Sequence, residues 1–196
     1  MDRANLPAVI RGLNLLFLSG VLVIFAVISI PLSFTGALSF GFLGILAAFA
    51  AVIIPIVALS KLAKCHPKFR TAFFAAIATL VLGLLSNAIL PGILPVLKDI
   101  ASFFSTYMIC IAVDELVQAF SAPQFPTGAL VWKIQLLLAI GEVAYGFVKV
   151  SIPMMVIFTL LSLVAAAFYM MMLYKSGKAL KAVTETLDIR EEETKW

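Results

Sequence analysis

Gly12 to Ser60 reads GLNLLFLSGVLVIFAVISIPLSFTGALSFGFLGILAAFAAVIIPIVALS, 49 residues without one Asp, Glu, Lys or Arg. A helix needs about 20 consecutive apolar residues to cross the hydrocarbon of a bilayer, so this stretch holds two crossings. Pro31 and the turn residues Ser33-Phe-Thr-Gly36 divide it. Positions 71–97 and 150–174 are equally free of charge. Within hydrocarbon every backbone N–H and C=O must be paired inside its own segment, so runs of this length are helices; barrel strands would read as short alternating segments.

The rest of the chain agrees with that reading. Its 196 residues are 63% hydrophobic and 12% charged, with a mean hydropathy of +1.15, whereas soluble domains carry roughly 45–50% apolar and about 25% charged residues. Too little charge remains to build a wetted surface, which excludes a soluble enzyme, a nucleic-acid-binding module and a disordered chain. The net charge of +4 reports topology rather than an acidic partner, and no nucleic acid is expected. Cys65 and Cys110 are too few for a disulfide framework. The first apolar run follows Arg3 and Arg11 but exceeds the 7–15 residues of a signal-peptide core, so it is read as a retained helix.

The expected fold is an all-α polytopic transmembrane helix bundle forming one domain over residues 1–196, with spans at about 10–32, 39–60, 70–90, 99–120, 130–148 and 152–174 and a tail at 175–196. Pro91-Gly92, Pro123 and Pro126 suit helix ends, because proline lacks an N–H and disfavours helix in the residue before it. The difficult segment is Leu130 to Tyr174, which reads either as two spans or as one interfacial helix and one span. Positive charge favours two. With six spans and a cytoplasmic N-terminus, the inside carries Arg3, Arg11, Lys61, Lys64, Lys68, Arg70, Lys133, Lys175, Lys178, Lys181, Arg190 and Lys195, leaving only Lys98 and Lys149 outside. Five spans would split the charges eight to six. The positive-inside rule therefore puts both termini in the cytoplasm, and the expected place is a prokaryotic plasma membrane. Leu180, Val183 and Leu187 recur at helical spacing, so the tail is read as a short extension of the last helix ending in the solvated run Glu191-Glu-Glu193.

Small residues line single helix faces: Gly12, Ser19, Ala26 and Ser33; Gly44, Ala48 and Ala51; Ala72, Ala76, Thr79, Gly83 and Ser86. Such stripes let membrane helices approach closely, within the bundle or against a protein partner or second copy. The fifth span differs, because Gln135, Ala139, Glu142, Gly146 and Lys149 share one polar face. A charge at that depth must face the bundle interior or a water-filled cavity. Glu142, Gln135, Lys149 and Asn87 are therefore the expected binding residues, with a structural hydrogen bond as the plainer alternative. Asp114 and Glu115 form a second cluster near the cytoplasmic end of the fourth span, where acidic groups oppose the helix dipole. Lys61, Lys64, Lys68, Arg70 and Lys133 are the cations available to compensate them.

Catalytic signatures are missing. His66 is the one histidine and adjoins Cys65, but a metal needs three or four converging ligands and a Cys/His nucleophile needs an orienting third group. Gly41, Gly44, Gly83 and Gly92 form no phosphate loop, and Met170-Met-Met172 reads as packing. No catalytic residue, metal or cofactor is expected. Two functions follow: a non-enzymatic membrane subunit or scaffold that docks partners, or a carrier or binding subunit for a small solute with Glu142 on its polar path. In size and span number the chain is similar to the substrate-binding membrane subunits of energy-coupling-factor vitamin transporters. Ala4 and Ala8 match one Ala-x-x-x-Ala pair of that family's coupling motif, but they precede the first span, and the family's long first loop is replaced by Ser33 to Ser39.

Overall fold

The computed structural model describes residues 5–33, 38–86, 93–120, 126–146 and 152–193; within these, side chains are described except at 30–33, 38–40, 86, 142–146, 152–153, 155–156 and 187–193. Six helices follow one another: α1 (Leu6–Ser33), α2 (Leu38–Leu62), α3 (Pro67–Ser86), α4 (Ile93–Ala119), α5 (Gly128–Gly146) and α6 (Ile152–Glu193). No strand occurs among the described residues. Each helix packs on the next in sequence, α6 closes the ring on α1, and α4 also touches α6 across the middle.

Neighbours run antiparallel. Gly20 of α1 lies beside Met170 while Gly177 lies beside Asn14, and Ser105 of α4 meets Ala72 of α3 while Lys98 reaches Gly83. α5 obeys the same rule: Gly128 abuts Cys110, and the Tyr107 and Trp132 rings meet edge-on with centroids 5.2 Å apart. Gly141 touches Phe158 of α6. The fifth helix therefore stands in the ring beside α4 and α6.

By length and composition, five helices have segments apolar enough to cross a membrane: 6–29, 41–62, 67–85, 93–119 and 157–186. In α5 the described apolar segment is the shorter Gly128–Gly141. The outward faces carry bulky apolar side chains, including Phe42, Phe49, Ile93 and Leu137. No soluble surface exposes so continuous an apolar belt, so the ring sits in lipid.

The packed core lies at one end, here called the base. Val9, Leu13, Leu59, Leu62, Phe69, Val113, Leu116, Val131 and Leu180 are buried there in one cluster. Two glycines permit it. A Cβ on Gly12 would stand 2.5 Å from Leu62 Cγ, and one on Gly128 would run into the Cys110 carbonyl oxygen. The second contact is with backbone, which cannot step aside.

Three helix limits differ from the sequence expectation. α4 begins at Ile93 rather than near 99, because Pro95 falls in the first turn, where its missing N–H had no helical partner to lose. α1 begins at Leu6 rather than near 10, while its end at Ser33 lies within a residue of the expected 32. α6 runs unbroken for 42 residues to Glu193, so the helical extension expected of the tail takes in nearly all of it, and it is packed rather than wholly solvated, with Ser176, Gly177 and Leu180 buried against α1. The small Ser176-Gly177 pair lets the two helices close together.

Candidate functional site

Above the base the ring opens. A cavity of about 650 Å³ lies between α1, α2, α3, α4 and α6, with Leu16, Leu59 and Ile109 as its floor and Gly83, Leu84 and Lys98 towards its far rim. Small residues, Ala51, Ala76, Gly83 and Ala166, face it among larger ones such as Val23, Ile56 and Tyr169. The stripes read from the sequence thus point largely inward. Gly12, Ala26 and Ala72 are buried, while Ser19, Ala51, Ala76, Thr79 and Gly83 line the cavity.

The walls are apolar with a ribbon of hydroxyls. Ser19 donates to the Leu16 carbonyl (2.7 Å), Thr79 to Ala75 (2.9 Å) and Ser105 across the helix interface to Ala72 (3.0 Å). Their protons are thus engaged by backbone, and what remains is acceptor lone pairs. Ser102, Thr106, Tyr169 and Lys98 complete the polar lining.

A second, smaller space of about 260 Å³ lies on the other side of α4, between α4, α5 and α6. Asp99, Ser102, Thr106, Gln135, Ala139 and Ser162 line it. Ser102 and Thr106 wall both spaces. Lys98 and Asp99, adjacent on α4, form an ion pair of 3.4 Å while each lines a different space.

At the base the two acidic residues have separate employment. The Asp114 carboxylate accepts from the backbone N–H groups of Gly128 (2.5 Å) and Ala129 (2.7 Å), so it caps α5 from a neighbouring helix. An anion at a helix N-terminus meets both unpaired N–H groups and the positive end of the dipole. The compensation expected from a lysine thus comes from a helix end. Glu115 pairs with Lys68 and lies 3.4 Å from His66 Nε2.

His66 caps α3. Its Nδ1 accepts the Lys68 N–H at 3.3 Å, and its carbonyl accepts from Phe69 and Arg70. That leaves the neutral ring's proton on Nε2, towards Glu115. Burial holds the His66 pKa below its ordinary value, with Glu115 opposing the shift. Cys65 donates weakly to the Lys61 carbonyl at 3.7 Å, and burial pushes its thiol pKa up, the reverse of nucleophile activation. Both cysteines are free.

Of the four expected binding residues, the structure places Gln135 in the smaller space. Glu142 lies on α5 seven residues further, its side chain outside the described residues, as are Asn87 and Lys149 entirely. Sequence reasoning missed Asp99, Ser102 and Thr106. Their spacing of i, i+3 and i+7 puts them on one face of α4, a pattern hidden when the span is started at 99 and Lys98 is counted only for topology. Among the described residues no three His, Cys, Asp or Glu side chains gather as a metal site.

An apolar-surfaced ring of six helices around an internal space defines a polytopic helical membrane protein. No family model, curated protein or solved structure matches the chain.

Proposed function

We propose that the chain is a membrane-embedded binding protein or carrier for a small solute with a mainly apolar body, acting without catalysis. The observation that carries this reading is the cavity of about 650 Å³, walled by five helices and closed at the base by the packed core. Its size falls within the roughly 300–1,000 Å³ typical of small-molecule sites. The hydroxyl lone pairs along its wall accept hydrogen bonds from a solute's polar groups, and Lys98 offers a positive charge near the mouth.

The base carries Arg11, Lys61, Lys64, Lys68, Arg70 and Lys133 near the helix ends that meet there, whereas Lys98 lies at the far end. Under the positive-inside rule the base faces the cytoplasm with both termini, and the cavity opens outward. A role as subunit or scaffold is favoured by one observation, the continuation of α6 to Glu193. At 1.5 Å per residue that helix is roughly 63 Å long, about twice the hydrocarbon thickness.

Labelling of single cysteines separates the two readings. In a Cys65→Ser, Cys110→Ala background, Thr79→Cys and Ala51→Cys line the cavity, while Phe49→Cys and Leu137→Cys face lipid. A membrane-impermeant thiol reagent added outside intact cells should modify the first pair and spare the second. Silence at both cavity positions would leave only the scaffold reading. Solutes that protect Thr79→Cys would then define the ligand class.

A further inference from the structure

We infer that the space between α4, α5 and α6 is a binding site for a small monovalent cation. It offers a carboxylate (Asp99), an amide (Gln135) and three hydroxyls (Ser102, Thr106 and Ser162). These are hard oxygen donors, the set that alkali and ammonium ions prefer, with no thiolate or imidazole among them. Thr106 donates its proton to the Ser102 carbonyl at 3.2 Å, so its lone pairs are left for a ligand. The single carboxylate among the described lining residues balances one positive charge rather than two. A volume of about 260 Å³ equals roughly nine waters at about 30 Å³ each. An alkali ion there keeps part of its hydration shell, and a small primary ammonium uses the same acceptors.

The neighbouring ion pair gives the site a consequence. Asp99 and Lys98 stand 3.4 Å apart with both side chains well exposed, and such pairs hold by about 1 kcal/mol or less. A cation that takes over Asp99 leaves the Lys98 charge to the larger cavity. Resting on the solute-binding reading above, an anionic group in that cavity and a cation in the smaller space strengthen each other by the same factor, as linkage requires. The solute class is then an amphiphile with an acidic group, taken up together with a cation.

The test of the site uses no solute, so its failure is distinct from failure of the cavity reading. The full chain in lipid nanodiscs is unfolded thermally, followed by tryptophan fluorescence, in sodium, potassium or methylammonium chloride against choline chloride at constant ionic strength and pH. At least one of the three small cations should raise the midpoint saturably, by roughly 5–11 °C at a hundredfold excess over its dissociation constant, and choline should not. Sodium or potassium as the effective ion identifies an alkali site; methylammonium alone identifies an ammonium site. Asp99→Asn and Gln135→Leu should abolish the shift. Lys98→Gln, which removes the competing charge, should lower the half-saturating concentration several-fold, a gain that a misfolded variant cannot give. Lys181→Gln, exposed on α6, should leave it unchanged. A shift equal in choline, or one that survives Asp99→Asn, overturns the site.

Discussion

His66 shows how one side chain acquires a task that its sequence neighbours do not advertise. Beside Cys65 it invites a metal or nucleophile reading, yet in the fold it caps α3 through Nδ1 and turns Nε2 towards Glu115. Burial lowers its pKa, so the unfolded chain takes up the proton first. The sign follows from linkage: the stability that the neutral ring provides is complete above the unfolded value of about 6.5 and is lost as pH falls through the lower folded value. Protonation also removes the acceptor for the Lys68 N–H. Asn at this position keeps a capping acceptor and cannot titrate. Unfolding midpoints measured from pH 8 to pH 5 should therefore fall more steeply for the wild type than for His66→Asn. Parallel curves would show that the cap does not sense pH.

Two helices show tertiary contacts settling what local sequence signals leave open. α5 starts where it does because Asp114 of α4 supplies its first two N–H partners and Gly128 lets the backbones touch. α6 continues past Tyr174 into a stretch rich in lysine because one of its faces still finds α1. Ser176, Gly177 and Leu180 are buried, while Lys175, Lys178 and Lys181 stay exposed on the other side. The helical spacing of Leu180 and Val183 was visible in the sequence, but its burial was not, since hydropathy averages over a face that is half charged. Ending the chain after Thr186 should leave thermal stability in detergent nearly unchanged. Ending it after Tyr174 should remove the α1 contact and cause a collapse, and Leu180→Ala alone should cost about 2–5 kcal/mol. Equal midpoints for the two truncations would disprove a structural role for this part of α6.

At the scale of the whole molecule, an even number of antiparallel helices in a closed ring brings the start of α1 and the C-terminal part of α6 to the same end, the base. Accessibility of tags in sealed spheroplasts tests this directly: both the N-terminal and the C-terminal tag should be protected from external reagent. A C-terminal tag reached from outside while the N-terminal one is protected would mean that α5 does not cross. The ring also decides where solvent can enter. Interlocked side chains fill the base, while small residues such as Ala51, Ala76 and Gly83 leave room among the larger ones above it, so tight packing and an open interior coexist in one bundle.

The sequence by itself determined that the chain is a helical membrane bundle, where most helices fall, and that small residues face other helices. Those properties follow from hydropathy and local backbone chemistry, which are written residue by residue. Gln135 was legible as polar on an otherwise apolar helix. Only the tertiary structure decided that Gln135 shares a space with Asp99, Ser102 and Thr106, that Asp114 belongs to α5, and that the small-residue stripes enclose a cavity. Each of these depends on the register of one helix against another. That register is set by which side chains interlock at the base, a property of pairs that no single segment carries.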